Sequence, residues 1–500
     1  HRSMTLLVSL VLAAGLLGVL PAQPALAGSC TSAISGGWST STTWGSGCTG
    51  SGGVPAAGDN VTVAHTVALT ANINIGTGTI TVASGGVLNL VSYAPTANSL
   101  TINDNGEVQQ GGSSTAPAGT ITTRSYSSNG TYTFNGTQAG LSGSHPTYGN
   151  LRFAPTPGSG GTFALDLDVR GNLIIALGNT SEIRFATGSA GRTQRIDGNL
   201  VVQSGTAVGS NGDNTSGSAT VNLGGDLTIS GGTFRGTNHV GNATFNVKGS
   251  ITNDGTWQQD DGSSAGLFTI ALTGTSGSQT IGGANAISFE RIEVNNSAGV
   301  LLNRTIDVTD ILTLTSGRLS LGNNTLTLGA SATVGGTPDA SKMVVTDVDG
   351  SQTGKLCKVW GSGAFTYPIG DNRGTAEYSP VTFTPASPSG LTVCFRAVDE
   401  AHPNKPTTPT TDYLTRYWSG TTSAGSFTGY TGVFTFINDS SDVVGSTTSM
   451  LPKRWTGAFP WEEQNNAISG ATFTWNGGAA LSDFTAFKSG ILAVTLAEFF

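Results

Sequence analysis

Between Arg170 and Trp257 one short phrase is written four times: Arg170-Gly171-Asn172-Leu173, Asp197-Gly198-Asn199-Leu200, Gly224-Gly225-Asp226-Leu227 and Lys248-Gly249-Ser250-Ile251. Its glycines, Gly171, Gly198, Gly225 and Gly249, stand 27, 27 and 24 residues apart. In three copies the phrase opens onto apolar residues two apart, Leu173 with Ile175, Leu200 with Val202, and Leu227 with Ile229. That spacing places both on one face of a strand. A second phrase follows as Gly205-Thr206-Ala207, Gly232-Thr233-Phe234 and Gly255-Thr256-Trp257, so each unit reads strand, turn, strand, turn. A unit this small cannot bury its own apolar face, and stacking on the next copy is the solution. The pattern predicts a β-solenoid whose Gly171, Gly198, Gly225 and Gly249 corners line up along one axis. Gly205, Gly232 and Gly255 are expected to supply the positive φ of tight corners.

The same texture extends in both directions. Residues 80–90 alternate, break at Gly85-Gly86 and alternate again; 100–108 repeat the form, and 311–319 and 326–330 close the series. Residues 111–157 are less regular and read as a lateral insertion or a distorted coil, and 258–296 form a second irregular section. Charged residues make up only 10% of the chain, which would suit disorder, but the dense alternation of Val, Ile, Leu and Thr points to a nearly all-β protein. The net charge of −8 is spread thinly, with no cluster of Lys and Arg. A groove for nucleic acid needs such a cluster to displace counterions, so that class of partner is excluded.

The N-terminus has the form of an export signal over residues 1–27: Arg2, an apolar run over 6–20, and Ala25-Leu26-Ala27 as a cleavage site before Gly28. No later stretch reaches about 18 uncharged apolar residues, so no membrane span is expected in the mature chain. Leu26-Ala27-Gly28-Ser29-Cys30 is one residue too long for a lipoprotein box, which leaves lipidation of Cys30 as a secondary route. Four cysteines in an exported chain point to disulfides. Of the three connectivities, local pairing of Cys30 with Cys48 and Cys357 with Cys394 is preferred. Zinc-type spacing is absent, and the five histidines are scattered.

Residues 28–72 read as a cap over the open end of the solenoid, where unpaired backbone and core would otherwise face water. Trp38, Trp44, Val54-Pro55, Gly58-Asp59-Asn60-Val61 and His65-Thr66-Val67 follow in an order that resembles the opening of bacterial secreted β-helix surface proteins. The tail adds to this: Phe365-Thr366-Tyr367-Pro368-Ile369-Gly370, Tyr378-Ser379-Pro380-Val381, Tyr413-Leu414-Thr415-Arg416-Tyr417-Trp418 and Asp442-Val443-Val444-Gly445 are similar to the β domain that follows the helix in those proteins. The resemblance implies adhesin-like proteins whose chains continue into a further module and a sorting or anchoring signal. Val494 to Phe500 looks like the first strand of such a module, and the start at His1 reads as that of a fragment. The expected fold class is all-β: a right-handed parallel β-helix over 73–345, an antiparallel β-sandwich over 346–490, and the beginning of a truncated module at 491–500.

The search for chemistry turns up isolated groups. Asp166 and Asp168, beside Arg170, share one strand face and are weak candidates for a common metal ion; Asp260 with Asp261, next to Trp257, and Asp347 with Asp349 are further acidic pairs. Whole coils separate these pairs, and solvated turn and strand-edge acids are the simpler reading. Trp257, beside Gln258 and Gln259, is a possible glycan contact, although its phase matches Ala207 and Phe234 and so favours a core or corner ring. His65 lacks a partner in any recognisable spacing and reads as a turn or edge residue. The glycine-rich stretches lack the Lys-Ser/Thr of a phosphate loop, and no nucleophile elbow appears. Thr-x-Thr occurs at Thr79 to Thr81, Thr313 to Thr315 and Thr325 to Thr327, too sparsely to argue for ice or mineral binding.

These features point to a secreted or cell-surface structural, adhesin-like solenoid, not an enzyme and without cofactor, presenting a repetitive surface to extracellular polysaccharide or a neighbouring cell. The alternative is a β-helix carbohydrate-active enzyme, a polysaccharide lyase or glycosidase, or a glycan-binding protein. Three or more carboxylates gathered in a groove would favour the enzyme; a smooth Thr, Asn and Ser flank would favour the display surface.

Overall fold

The computed structural model describes residues 27–489, except 114, 138–139, 155–159, 179–180, 187–189, 213–216, 261, 263–265 and 408–410. The proposed leader and the terminal strand at Val494 to Phe500 therefore lie outside the described residues, apart from Ala27. The regular elements of the described chain are strands, apart from 3-10 turns at Ser41–Thr43 and Thr447–Ser449. It forms two compact units, one of residues up to 112 with 117–133, the other of 113–116 with everything from 134 onward.

The first unit is a parallel solenoid. Strands Ser29–Thr31, Asn60–Val63, Thr79–Val82, Pro95–Ile102 and Thr120–Tyr126 pair successively in parallel. Their register stacks Cys30, Val61, Ile80 and Leu100 in one buried column and Val63, Val82 and Ile102 in another. Gly36–Gly37, Thr66–Ala68, Val87–Asn89 and Glu107–Gln110 form the facing sheet, with Val67, Leu88 and Val108 inside. Part of the stretch that reads as irregular is thus an ordinary coil. It is disguised because Arg124 stands in the register place after Leu100 and donates to the carbonyls of Ala118 and Gly119, both at 3.0 Å.

Trp38 and Trp44 are buried edge to face, 5.1 Å between centroids, and the Trp44 indole N–H donates to the Trp38 carbonyl at 2.7 Å. The Cys30–Cys48 disulfide ties the first strand to the following loop. His65 is structural: its backbone N–H donates to Ser32 Oγ, and its Nδ1 lies 2.9 Å from the Ser32 carbonyl.

In the second unit the glycine phrases stack directly. The N–H of Gly171 donates to the Gly149 carbonyl, Gly198 to Gly171, Gly225 to Gly198 and Gly249 to Gly225, each at 2.9 Å. Beside them runs a side-chain spine in which Oδ1 of Asn150, Asn172, Asn199 and Asp226 accepts the N–H of Asn172, Asn199, Asp226 and Ser250 at 2.7 to 2.8 Å. The small residue is demanded by proximity: a Cβ at Gly225 would lie 2.2 Å from Asn199 Oδ1 and 2.7 Å from the Gly198 carbonyl. Of the trailing glycines, Gly205 has the expected positive φ of 71°, whereas Gly232 and Gly255 do not. There the constraint is again close approach, with a Gly255 Cβ falling 2.3 Å from the Gly232 carbonyl.

Three sheets carry these coils. Leu151, Leu173, Leu200, Leu227, Ile251, Ile281 and Leu302 form one buried column. Val221, Phe245, Ile270, Ile292 and Leu312 form another on the facing sheet. A shorter third sheet runs from Gly140–Leu141 to Thr256–Gln258. Through the interior passes a run of rings from Phe134 through Phe153, Phe163, Phe185, Phe245 and Phe234 to Trp257, with neighbouring centroids 4.9 to 5.7 Å apart. Offset and edge-to-face rings at this spacing add to what their burial contributes.

Parallel pairing extends to Lys355–Val359, stacked on Thr325–Leu328, and to Ile369–Asp371, stacked on Val344–Asp347. Lys355–Val359 then pairs antiparallel with Ser389–Val398 on its other edge, and the Cys357–Cys394 disulfide joins directly opposed residues. Beyond it the strands are antiparallel, including a four-stranded sheet of Phe365–Tyr367, Val381–Ala386, Gly429–Thr435 and Thr472–Gly477. Its Phe383, Phe434 and Phe473 meet Phe395, Trp418 and Phe484 of the longer sheet, with centroids 4.7 to 5.7 Å apart.

Candidate functional site

The alternation through Leu414, Arg416 and Trp418 points all three inward, and Arg416 is fully buried. A buried guanidinium requires carboxylates around it, and here it has several. Nε lies 2.8 and 2.9 Å from the two Asp442 oxygens, Nη1 donates to Asp371, Nη2 donates to Glu377, and Asp399 stands 3.6 Å from Nη2. Asp371 and Glu377 come from the last parallel strand, Ile369–Asp371, and its antiparallel neighbour, Glu377–Tyr378; Asp399 follows Ser389–Val398, and Asp442 precedes Val443–Val444. One side chain thus joins the end of the solenoid to the antiparallel tail.

Asp371 and Asp442 are fully buried, and burial pushes both carboxyls up to about 6 against the pull of Arg416. Burial also raises Asp399. Burial alone would lower the Arg416 guanidinium, but Asp442, Asp371 and Glu377 more than reverse this and hold it charged. The nearest oxygens of Asp371, Glu377 and Asp399 lie within 4.8 Å of one another, the one group of three or more potential metal ligands among the described residues. Buried this deeply, Asp371 and Asp442 cannot touch a polysaccharide.

The acids singled out in the sequence lie elsewhere, with one exception. Asp166 accepts the Thr193 N–H at 2.9 Å, and Asp168 accepts from Thr147 Oγ1 at 3.0 Å and faces Arg195 at 3.9 Å; each is engaged separately. Arg170 is exposed. Asp261 lies outside the described residues. Asp349 caps an exposed turn through the Ser351 N–H and hydroxyl. Asp347 is fully buried and pairs in register with Asp371 beside the arginine cluster. Trp257 is half-buried: its indole N–H donates to the Ser288 carbonyl at 2.8 Å, and its ring packs among Phe234, Phe268 and Phe289.

Near Trp257 lies a second acidic group absent from the sequence reading. Glu290 accepts the Phe268 N–H at 2.6 Å, and its carboxyl is raised by burial and by the charges of Asp310 and Asp260, while Arg291 holds Asp310 at 2.5 Å. A groove of about 540 Å³ lies between Ser331, Thr333, Lys358, Trp360, Ser362 and Phe365. The Lys358 ammonium there donates to the carbonyls of Gly329, Ala330 and Ala332, which uses its three N–H groups.

Outward columns are the most regular feature. On the first unit Thr31, Thr62, Thr81, Thr101 and Ser125 stack in register, and two residues away along the strands so do Asn60, Thr79, Ser99 and Thr123. None of these is buried. On the second unit Thr193, Thr220, Thr244 and Thr269 form a similar column, and the neighbouring Asn246 amide donates to Asn222 at 2.9 Å. No described helix is long and apolar enough to cross a membrane. The chain matches no protein-family model, and comparison with curated proteins and with solved structures returns no match.

Proposed function

We propose that this chain is an exported, adhesin-like structural protein, a right-handed β-helix followed by a β-sandwich, that presents a repetitive surface to extracellular polysaccharide. The observation that carries this reading is the pair of outward hydroxyl and amide columns on one face of the first unit. Coils about 4.8 Å apart and residues about 6.6 Å apart along a strand make a lattice of donors and acceptors. A polymer of repeating sugar hydroxyls meets such a lattice through many weak contacts that add. Two disulfides suit an oxidising compartment.

A second reading, a glycan-binding site proper, is favoured by the groove that sets Trp360 and Phe365 beside the hydroxyls of Ser331, Thr333 and Ser362. The test is a glycan array, run beside a reducing-sugar release assay, on the whole chain. Retention without release, lost in a Thr62→Val, Thr81→Val, Thr101→Val variant, supports the lattice. Retention lost only on Phe365→Ala moves binding to the groove, and release of sugar overturns the display reading in favour of an enzyme.

A further inference from the structure

The arginine cluster holds more negative charge than its cations answer. Asp371, Glu377, Asp399 and Asp442 surround Arg416, and Asp347 lies in register beside Asp371, while a further cation, Arg373, is engaged by Glu400 at 3.2 Å and by the Asp399 backbone carbonyl at 3.1 Å. Arg416 approaches one oxygen each of Asp371, Glu377 and Asp399 and both oxygens of Asp442. Asp371 Oδ1 also accepts the Arg373 N–H at 3.3 Å, while the second oxygens of Glu377 and Asp399 are left for another cation.

Asp347 provides an independent indication. It is fully buried on the strand next to Asp371, its Oδ1 accepts the Gly350 N–H at 2.8 Å, and its Oδ2 has no hydrogen-bond partner. Its charge reaches both Asp399 and Arg373. A buried carboxylate oxygen without a donor is costly, and a cation among these acids removes the cost.

We propose that Asp371, Glu377 and Asp399, backed by Asp347, bind a divalent cation of the calcium class where the last parallel coil meets the antiparallel tail. The donors are all carboxylate oxygens, the set a hard cation takes, and a group without His or Cys does not suit zinc or copper. Calcium accepts the irregular, multi-carboxylate geometry that magnesium, held to a strict octahedron, does not. The side chain of Asp399, 22% exposed, is the entrance, and water completes the shell from that side. Repulsion from the Arg416 guanidinium weakens the site, placing it in the range of extracellular calcium modules, about 10⁻⁴ to 10⁻³ M. Bound there, the ion links Asp347 and Asp371 of the parallel ladder to Asp399 of the tail.

The experiment uses the whole chain, stripped with EDTA, then titrated calorimetrically with CaCl₂ and with MgCl₂ at neutral pH and melted with and without calcium. One calcium per chain is expected, with magnesium at least tenfold weaker and a Tm that rises with calcium. Asp347→Asn and Asp399→Asn should each weaken calcium at least tenfold, while melting at or above the wild-type temperature in EDTA because an unanswered charge is gone. Absence of calcium binding at millimolar concentration, or binding undiminished in both variants, overturns the site. Should neither variant fold, the wild type decides: a calcium-dependent Tm sustains the site, and a Tm indifferent to EDTA and calcium refutes it.

Discussion

Asp59 illustrates how much one side chain holds in a chain with so few charges. It is fully buried, and its carboxylate accepts from the Gly28, Thr49 and Ala56 N–H groups and from the Thr49 hydroxyl at 2.7 to 3.1 Å. Burial would raise its carboxyl, but these hydrogen bonds outweigh it and hold the group below the ordinary carboxylate value. Its contribution to stability is therefore present above that ordinary value and is lost as pH falls through the lowered folded value. Asp59→Asn should cost about 1–3 kcal/mol at neutral pH and flatten the acid side of a urea-midpoint against pH profile; an unchanged profile would contradict this. Gly225→Ala should cost about 1–3 kcal/mol by forcing the Asn199 spine apart. Gly277→Ala, where an added Cβ meets nothing within 4 Å, should change stability by less than about 0.5 kcal/mol in the same urea titration. That Gly225 matters was legible from its repeat; that the reason is proximity and not positive φ was not, because proximity belongs to the neighbouring coil.

Single coils are marginal, and their stability is shared with the coils on either side. Leu200, fully buried, lies between Leu173 and Leu227 in the column. Leu200→Ala should cost about 2–5 kcal/mol, and Leu200→Asp more, since a carboxylate would replace a core side chain. Hydrogen exchange should then speed most in the strands Leu173–Ala176, Leu200–Ser204 and Leu227–Ile229; a uniform change along the chain would show that the coils do not share stability locally. The regular coils were readable from alternation. The coil containing Arg124 was not, and neither was Gln279, buried with its amide on the Val247 carbonyl, because a polar residue that finds its partners inside looks like a break in the pattern.

The strand Lys355–Val359 has a parallel neighbour on one edge and an antiparallel one on the other, so the tail covers edges that parallel stacking leaves open. Removing residues 355–489 would uncover Thr325–Leu328 and the facing Val344–Asp347. Open edges of this kind recruit other chains. The truncated protein should self-associate in light scattering at concentrations where the longer chain is monodisperse, and a monodisperse truncation would count against the tail as an edge cover. The change of texture near Thr346 was visible in the sequence, but the persistence of parallel pairing to Asp371 was not. Alternation is the same in both kinds of strand, and only the return path of the chain decides which forms.

By itself the sequence determined the coil: its glycine corners, its two-residue inward phase and its need for a neighbour all follow from spacing within a few tens of residues. The tertiary structure decided what gathers around Arg416. Asp371, Glu377, Asp399 and Asp442 are drawn from separate strands and loops, and of the neighbouring acids only Asp347 stood out in the sequence, for its pairing with Asp349 and not for its place beside Asp371. A buried charge selects its partners by three-dimensional reach, which no repeat length encodes.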